Sequence, residues 1–448
     1  MPADARVIVE LECLEQRAPI YVLTHDARVQ ETFTHLIEKA AQQGRTDIQI
    51  RALINFAYAL SWNNRDSCVR ALDEALRLSA GQSDAGAQAL THLRVSVRRM
   101  WVAGWNLADA RRCEQALQVL RASPDKPATA VAMLEYSMVC LTSSRYREAI
   151  DTFLRNHEFL LRSPDDLSEF NVLRASWMNL VGVSWVPLFV GELGNSLTAF
   201  DAGILACRKE GNAAGAQSLG LWRCMLLFQL TDYEGMLEVC LPVASADSTP
   251  VVILPFERRL SLVMCGLAEA GLGNAAAARD YLLEAERQIG EQPVMLDWYM
   301  TLMLEWGRVN LLLLTGARAE AAARADRFIR LAGETDERTW QALAFETWAR
   351  VALGRGAATE ALEVIMKALA ATKGFETPLA DWRVHATAAV AYRVIGNPQL
   401  ASRHAHIAAT TRRRLVESLP QRHRLRTLFE TSARIFPPLA ADPQQASN

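Results

Sequence analysis

The sequence predicts an all-α fold: a right-handed superhelical solenoid of about ten antiparallel helix pairs, with a period near 40 residues. Three observations predict it. The first is the stretch Leu262 to Ile289, LVMCGLAEAGLGNAAAARDYLLEAERQI, which reads as one helical hairpin. Gly266 sits where two helices cross closely, Gly273-Asn274 breaks the chain, and Ala278, Leu282 and Ala285 share a face at the three- and four-residue spacing of a helix. The second is recurrence. Breaks of the same kind fall at Asn63, Gly104, Ser144, Gly191, Thr231, Gly273, Gly316, Gly356 and Gly396, in steps of 41, 40, 47, 40, 42, 43, 40 and 40 residues. The third is composition. The good helix formers Ala, Leu, Arg and Glu dominate, and β-branched alternation is absent.

Each break is followed by a helix whose inward face can be named. The faces are Cys68-Leu72-Ala75, Asp109-Cys113-Ala116, Ala149-Phe153, Ser196-Phe200-Gly203, Met236-Cys240-Val243, Ala278-Leu282-Ala285, Ala321-Ala325-Phe328, Ala361-Ile365-Ala368 and Ala401-Ala405-Ala408. Between hairpins lie links such as SAGQSDAG, RASPDKPAT, RSPDDLSE, SADSTPVVILP and AGETDE, which combine Gly or Pro with capping residues. A lone hairpin cannot bury its apolar face, so each neighbour supplies the missing partner and the terminal units act as caps. Four regions follow: a degenerate N-terminal unit (1–45), a hairpin solenoid (46–411), a C-terminal capping helix (412–436) and a disordered polar tail (437–448).

Within the repeats, SRYREAIDTF (Ser144 to Phe153) and GELGNSLTAF (Gly191 to Phe200) resemble the tetratricopeptide pattern, with Tyr146 and Phe153 standing where that family has the tyrosine of its turn and the phenylalanine of its second helix. The family norm is about 34 residues, and the longer period here adds roughly a turn to each helix. HEAT units share that longer period, but only Pro187 suggests their kinked first helix.

Charge, cysteine and hydropathy bound the setting. Lys+Arg 48 against Asp+Glu 50 gives a formal charge of -2, so no global field draws the chain to nucleic acid or an acidic membrane. The 8 cysteines form no C-x-x-C and sit in apolar helical runs, as small hydrophobes do in a reducing compartment. MPADARVIVELECLEQ lacks the layout of a secretory signal, and no apolar run approaches the length of about twenty residues that spans a bilayer. These features place the protein in the cytoplasm.

No catalytic constellation is found. The sequence has no G-x-x-x-x-G-K-[ST], no H-E-x-x-H and no G-x-S-x-G; GNAAGAQS at Gly211 has no lysine and reads as a link between helices. His404 and His406 are two apart, which turns their rings to different faces and argues against a metal site. The reading is a non-enzymatic chain with no cofactor and no metal. Arg412, Arg413, Arg414, Arg422, Arg424 and Arg426 form the one basic cluster; it lacks interleaved aromatics, so it reads as a solvated helix face in preference to a nucleic-acid surface.

What remains is the concave groove. Carrying over the positions that the tetratricopeptide first helix shows to its concave side selects Arg94, Arg98 and Trp101, then Trp185, Leu188, Met225 and Phe228, then Trp306, Asn310, Glu346, Arg350, Arg383 and Arg393. An apolar, aromatic middle flanked by arginines suits a ligand with an apolar body and an anionic or polar end. The competing reading is packing between long helices, with arginines extended over apolar neighbours. The period, the Ala/Leu/Arg-rich helices and the closing RRRLVESLPQRHRLRTLFE resemble the C-terminal repeat regions of bacterial STAND ATPases, including maltose-regulator-like transcriptional activators. The resemblance implies a sensor that binds a protein segment or small effector, with a separate ATPase or transcription factor as partner. A structural adaptor working through the convex face or terminal helix is the alternative.

Overall fold

A computed structural model describes residues 8–15, 17–18, 28–121, 127–162, 182–245 and 253–431, and among them every regular element is a helix. The first seven are α1 (8–15), α2 (Val29–Gln42), α3 (Thr46–Ser61), α4 (Arg65–Ser79), α5 (Ala85–Ala103), α6 (Leu107–Leu120) and α7 (Pro127–Leu141). The next seven are α8 (Tyr146–Arg162), α9 (182–189), α10 (Leu193–Lys209), α11 (Ala213–Gln229), α12 (Tyr233–Ser245), α13 (Pro255–Leu272) and α14 (Ala275–Glu291). The chain closes with α15 (Asp297–Leu314), α16 (Arg318–Gly333), α17 (Arg338–Gly354), α18 (Ala358–Ala371), α19 (Pro378–Val394), α20 (Pro398–Glu417) and α21 (Arg424–Thr431). The tail expected at 437–448, residues 1–7 and 19–27 of the expected N-terminal unit, and parts of three links lie outside the described residues. No described helix is long and apolar enough to cross a membrane.

The breaks read from the sequence are the turns inside the helix pairs. Eight of the nine adopt a positive φ: Gly104, Ser144, Gly191, Thr231, Gly273, Gly316, Gly356 and Gly396, with Asn63 the exception. At Gly273 (φ 87°) the left-handed residue ends α13, and its N–H and that of Asn274 cap the helix on Ala270 O and Glu269 O. Thr231 takes the same role at φ 62°, a conformation that opposes a β-branched side chain. Its Oγ1 is buried and has no hydrogen-bond partner, so no side-chain hydrogen bond offsets the strain. Thr231→Gly is therefore expected to raise stability by about 1 kcal/mol, read as a higher urea midpoint at unchanged m-value. Ser144 (φ 57°) differs, because its Oγ accepts the Arg338 N–H at 2.6 Å.

The inward faces after the breaks are buried from Cys68 to Ala368 without exception. In the last pair Ala401 and Ala408 are buried but Ala405 is exposed. Gly266 has its expected purpose: a Cβ there would lie 2.6 Å from the Leu282 side chain on the partner helix. All eight cysteines are free, and seven are buried; Cys13 is exposed, against the expectation for it.

The described chain forms two compact units. The first comprises Met1–Val139, Asp151–Asn179 and Gln292–Trp298. It begins on a small core of Leu11, Phe33, Leu36, Ala40, Ile48 and Ala52 where α1, α2 and α3 meet. Its last segment, far off in sequence, docks on the ends of α3 and α5. Met295 N–H donates to Ser61 O (2.9 Å), Leu296 N–H to Trp101 O (3.1 Å) and the Gln292 amide to Asn63 O (2.6 Å).

The second unit comprises Cys140–Ile150, Leu180–Glu291 and Tyr299–Asn448. Its helix pairs also meet across long sequence intervals. Ser144 and Tyr146 contact Glu337, Arg338 and Thr339, 191 to 194 residues on and so nearly five periods of 40. Farther along, Arg147 pairs with Glu192 (2.6 Å) and Glu376 (2.7 Å), Leu193 N–H donates to Ser418 Oγ (3.1 Å), and Arg424 bonds Asp232 (2.6 Å). A Cβ at Gly194 would collide with Ser418 O, so the chain between α20 and α21 lies directly on α10. Helix pairs about five repeats apart therefore touch, and the first helices of the unit carry buried side chains.

Candidate functional site

The first helices of the second unit (α9, α11, α13, α15, α17 and α19) are flanked by other helices on nearly every side, so their sequences are apolar almost all round. Charged side chains placed on them must find partners there or remain uncompensated. In α17, RTWQALAFETWARVALG, Glu346 and Arg350 stand four apart on one face, with Arg350 Nε 3.6 Å from Glu346 Oε1. One repeat back, Asn310 of α15 accepts from Arg350 Nη2 at 2.6 Å. One repeat forward, Thr387 Oγ1 of α19 donates to Glu346 Oε1 at 2.7 Å. Asn310, Arg350, Glu346 and Thr387 thus form a buried polar ladder across three helices, none more than 7% exposed. Asn310 Nδ2 and Glu346 Oε2 remain buried without a partner.

Arg383 lies beside the ladder. Its Nη1 donates to Leu379 O of its own helix at 2.6 Å, while its guanidinium sits 4.3 Å from the Trp382 ring centre and 5.7 Å from that of Trp306. Burial pushes Arg383 down to about 10, with Glu346 opposing the shift and the Arg350 and Arg412 charges adding to it. Burial also lowers Arg350, again opposed by Glu346. At about 10, Arg383 remains charged near neutrality.

Aromatic rings continue the interior. Trp185 packs on Phe189, Trp222 and Tyr299 at 4.7 to 5.7 Å between centroids, Tyr299 on Trp340, Trp340 on Trp306, and Trp306 on Phe228 at 5.1 Å. Trp185 Nε1 donates to the Met225 sulfur at 3.1 Å, and Leu188 is buried nearby in sequence on the same helix, α9. The sequence-selected residues Trp185, Leu188, Met225, Phe228, Trp306, Asn310, Glu346, Arg350 and Arg383 are therefore interior side chains of this unit. Arg393 is not brought to them; it is exposed near the end of α19.

Arg94, Arg98 and Trp101 belong to the first unit. Arg98 is buried, bonds Glu135 at 2.8 Å and lies 4.5 Å over the Tyr58 ring, while half-buried Arg94 reaches Asn55 at 3.3 Å. Trp101 is half-buried and uses its carbonyl to hold Leu296 and Trp298. Sequence reasoning missed Thr387, Tyr299 and Trp340. The available signal was the repeat itself, since Trp185–Met225 and Asn310–Arg350 are 40 residues apart and Glu346–Thr387 is 41. Among the described residues no group of three or more His, Cys, Asp and Glu could hold a metal ion. His404 faces His385, Nδ1 to Nδ1 at 2.8 Å, and His406 is exposed.

No protein-family profile matches the chain, and no curated protein matches it. Solved structures do. A Rap protein complexed with competence and sporulation factor superposes with a TM-score of 0.58 at 12% identity, covering 83% of this chain and 99% of that one. The fold is tetratricopeptide-like. The apo quorum sensor NprR from B. thuringiensis agrees, with a TM-score of 0.50 at 12% identity over the same shares of the two chains. In this tetratricopeptide-like chain the first helices face the interior, and the ladder of α15, α17 and α19 lies there with them.

One carboxyl at this end of the unit gives a pH signature. Asp381, in the first turn of α19, is pushed up to about 6 by burial, against a stabilising hydrogen bond from Thr377 (2.9 Å). Its folded value lies above its unfolded one, so its contribution is most favourable below pH 4 and is lost as pH rises to about 6. Asp381→Asn is expected to remove that slope, leaving the variant more stable than the parent at pH 7 by about 2 kcal/mol. Urea titrations at pH 4 and pH 7 check this, and an unchanged difference between the two pH values would contradict it.

Proposed function

We propose that this chain is a non-catalytic binding module, the sensing or interaction part of a bacterial signalling or transcription-regulatory system, and that its ligand engages the interior of the second unit. The ligand is a protein segment or a small effector, and the downstream partner is a separate ATPase or transcription factor. The observation that carries the reading is the buried ladder Asn310, Arg350, Glu346 and Thr387 with its unpaired atoms. Stability alone does not require such a network, since apolar side chains of similar volume often pack as well or better. Two proteins of similar fold support the reading by what they are: one is complexed with competence and sporulation factor, the other is a quorum sensor.

The adaptor reading has its own observation. Leu241, Leu283 and Met366, each ten residues after its break, are 37%, 44% and 56% exposed on second helices. Native mass spectrometry of the purified chain after incubation with cell extract separates the two readings. Loss of the retained species in Asn310→Ala, with retention in the double variant Leu283→Lys/Met366→Lys, supports the interior; the reverse pattern replaces it with the adaptor.

A further inference from the structure

We propose that His385 and His404 form a proton-gated clasp between α19 and α20, closed while at least one of the two rings is neutral and opened when both are charged. The inference goes beyond the binding role and does not depend on what the interior takes up. The rings are half-buried, one on each helix of the last pair. Their Nδ1 atoms are 2.8 Å apart, and the ring centres lie 4.9 Å apart with the planes at 33°, so the rings meet edge to edge. Tyr392, on the same helix as His385, stacks on His404 at 5.2 Å and limits its rotation. A contact of this kind fixes its own proton count, because one Nδ1 must donate and the other accept. One charged ring is compatible with it, since the charged ring donates to the bare nitrogen of the neutral one. Two charged rings would set N–H against N–H across 2.8 Å, and an imidazole cannot turn its proton aside as a hydroxyl can.

The surroundings do not relieve that clash. Burial lowers both rings; the charge on His404 adds to the effect at His385, which is held down to about 4, and Arg403 adds to it at His404. Asp381, four residues before His385 on α19, owes its own shift to burial and Thr377. Of the other helices packed on α19, α17 commits Glu346 and Arg350 to the ladder, while α18 has Glu363 and Lys367 exposed and Glu360 paired with Arg355. On α21, Arg424 pairs with Asp232 and Arg426 with Glu430. Among the described residues no carboxylate enters either ring's shift to steady a second charge. In the unfolded chain both rings titrate near 6.5, so the folded chain takes up fewer protons as pH falls. The clasp's contribution is therefore complete above that value and is lost as pH falls towards about 4. This is the opposite sense to Asp381.

The test compares the full chain with His385→Asn and His404→Asn. An asparagine amide offers both a donor and an acceptor close to where Nδ1 stands, and it does not titrate. Amide exchange over the peptides of α19 and α20, measured by mass spectrometry on parent and variants at the same pH, cancels the intrinsic pH dependence of exchange. Similar protection is expected at pH 7; at pH 5 the α20 amides should exchange about tenfold faster in the parent than in His385→Asn. By nuclear magnetic resonance on nitrogen-labelled histidine, His385 of the parent should titrate near 4, and at pH 7 the two Nδ1 nuclei should be coupled across their hydrogen bond. The clasp is overturned if parent and variants lose protection alike between the two pH values, if both rings titrate near 6.5, or if the coupling is missing. Should one variant already be less protected than the parent at pH 7, the other replaces it; should both be, the titration and coupling in the parent decide alone.

Discussion

Glu337→Ala is expected to lower the stability of the chain by about 3 kcal/mol, because one carboxylate both starts a helix and joins two distant parts of the second unit. Glu337 is 1% exposed. Its Oε2 caps α17 by accepting the Trp340 N–H at 2.6 Å, and its Oε1 accepts the Tyr146 hydroxyl and, at 3.3 Å, that of Ser144. Alanine removes the cap and leaves buried hydroxyls with fewer acceptors. Burial raises the Glu337 carboxyl and, together with the Glu337 charge, drives the Tyr146 phenol well above its ordinary value. Since the folded value of Glu337 is raised, its contribution shrinks as pH rises, and the deficit of the variant should shrink with it. Tyr146→Phe alone should cost about 1 kcal/mol, and the double variant less than the sum. A urea-denaturation cycle measures this coupling, and strict additivity would show that the two side chains do not act together.

That contact also marks the limit of what the sequence discloses. The hairpin grammar is local. A break, then a face at three- and four-residue spacing, is written within some 20 residues of chain and depends on helix geometry alone, so the turns at Gly104 to Gly396 and the faces from Cys68 to Ala368 were readable. The neighbour-to-neighbour stacking was readable too, because it repeats at the same period. The contacts between Tyr146 and Glu337, or Gly194 and Ser418, join helix pairs far apart in the chain and leave no local mark in the sequence. They arise from the curvature that accumulates over about five repeats, a sum of small rotations that no single residue encodes.

The candidate site was readable to the same depth. The register placed Asn310, Glu346 and Arg350 on one side of their helices, and the structure joins them through hydrogen bonds and an ion pair. It could not show that this side is enclosed, because enclosure depends on the distant contacts. Trp306 and Arg383 therefore occur inside, where the sequence suggested an open groove wall. Thr387 escaped notice because a threonine at an interior position of α19 is unremarkable until Glu346 is found 2.7 Å away.

Removing Glu346 tests this interior most severely. Glu346→Ala is expected to destabilise the chain by about 3 to 5 kcal/mol, the range found when one partner of a buried ion pair is deleted. The magnitude comes less from lost contacts than from what stays behind: Arg350 loses its ion-pair partner, Arg383 loses the charge that holds it up, and Thr387 loses its acceptor. Arg350 retains Asn310, a neutral acceptor that does not compensate its charge. Deleting the stranded charge as well should therefore rescue the chain. Glu346→Ala/Arg350→Met is expected to be more stable than Glu346→Ala by about 2 kcal/mol, although it departs further from the natural sequence. Guanidinium denaturation of Glu346→Ala, Arg350→Met and the double variant decides the matter. If the double variant is the least stable of the three, the ladder is held by packing and Arg350 is not left with an uncompensated charge.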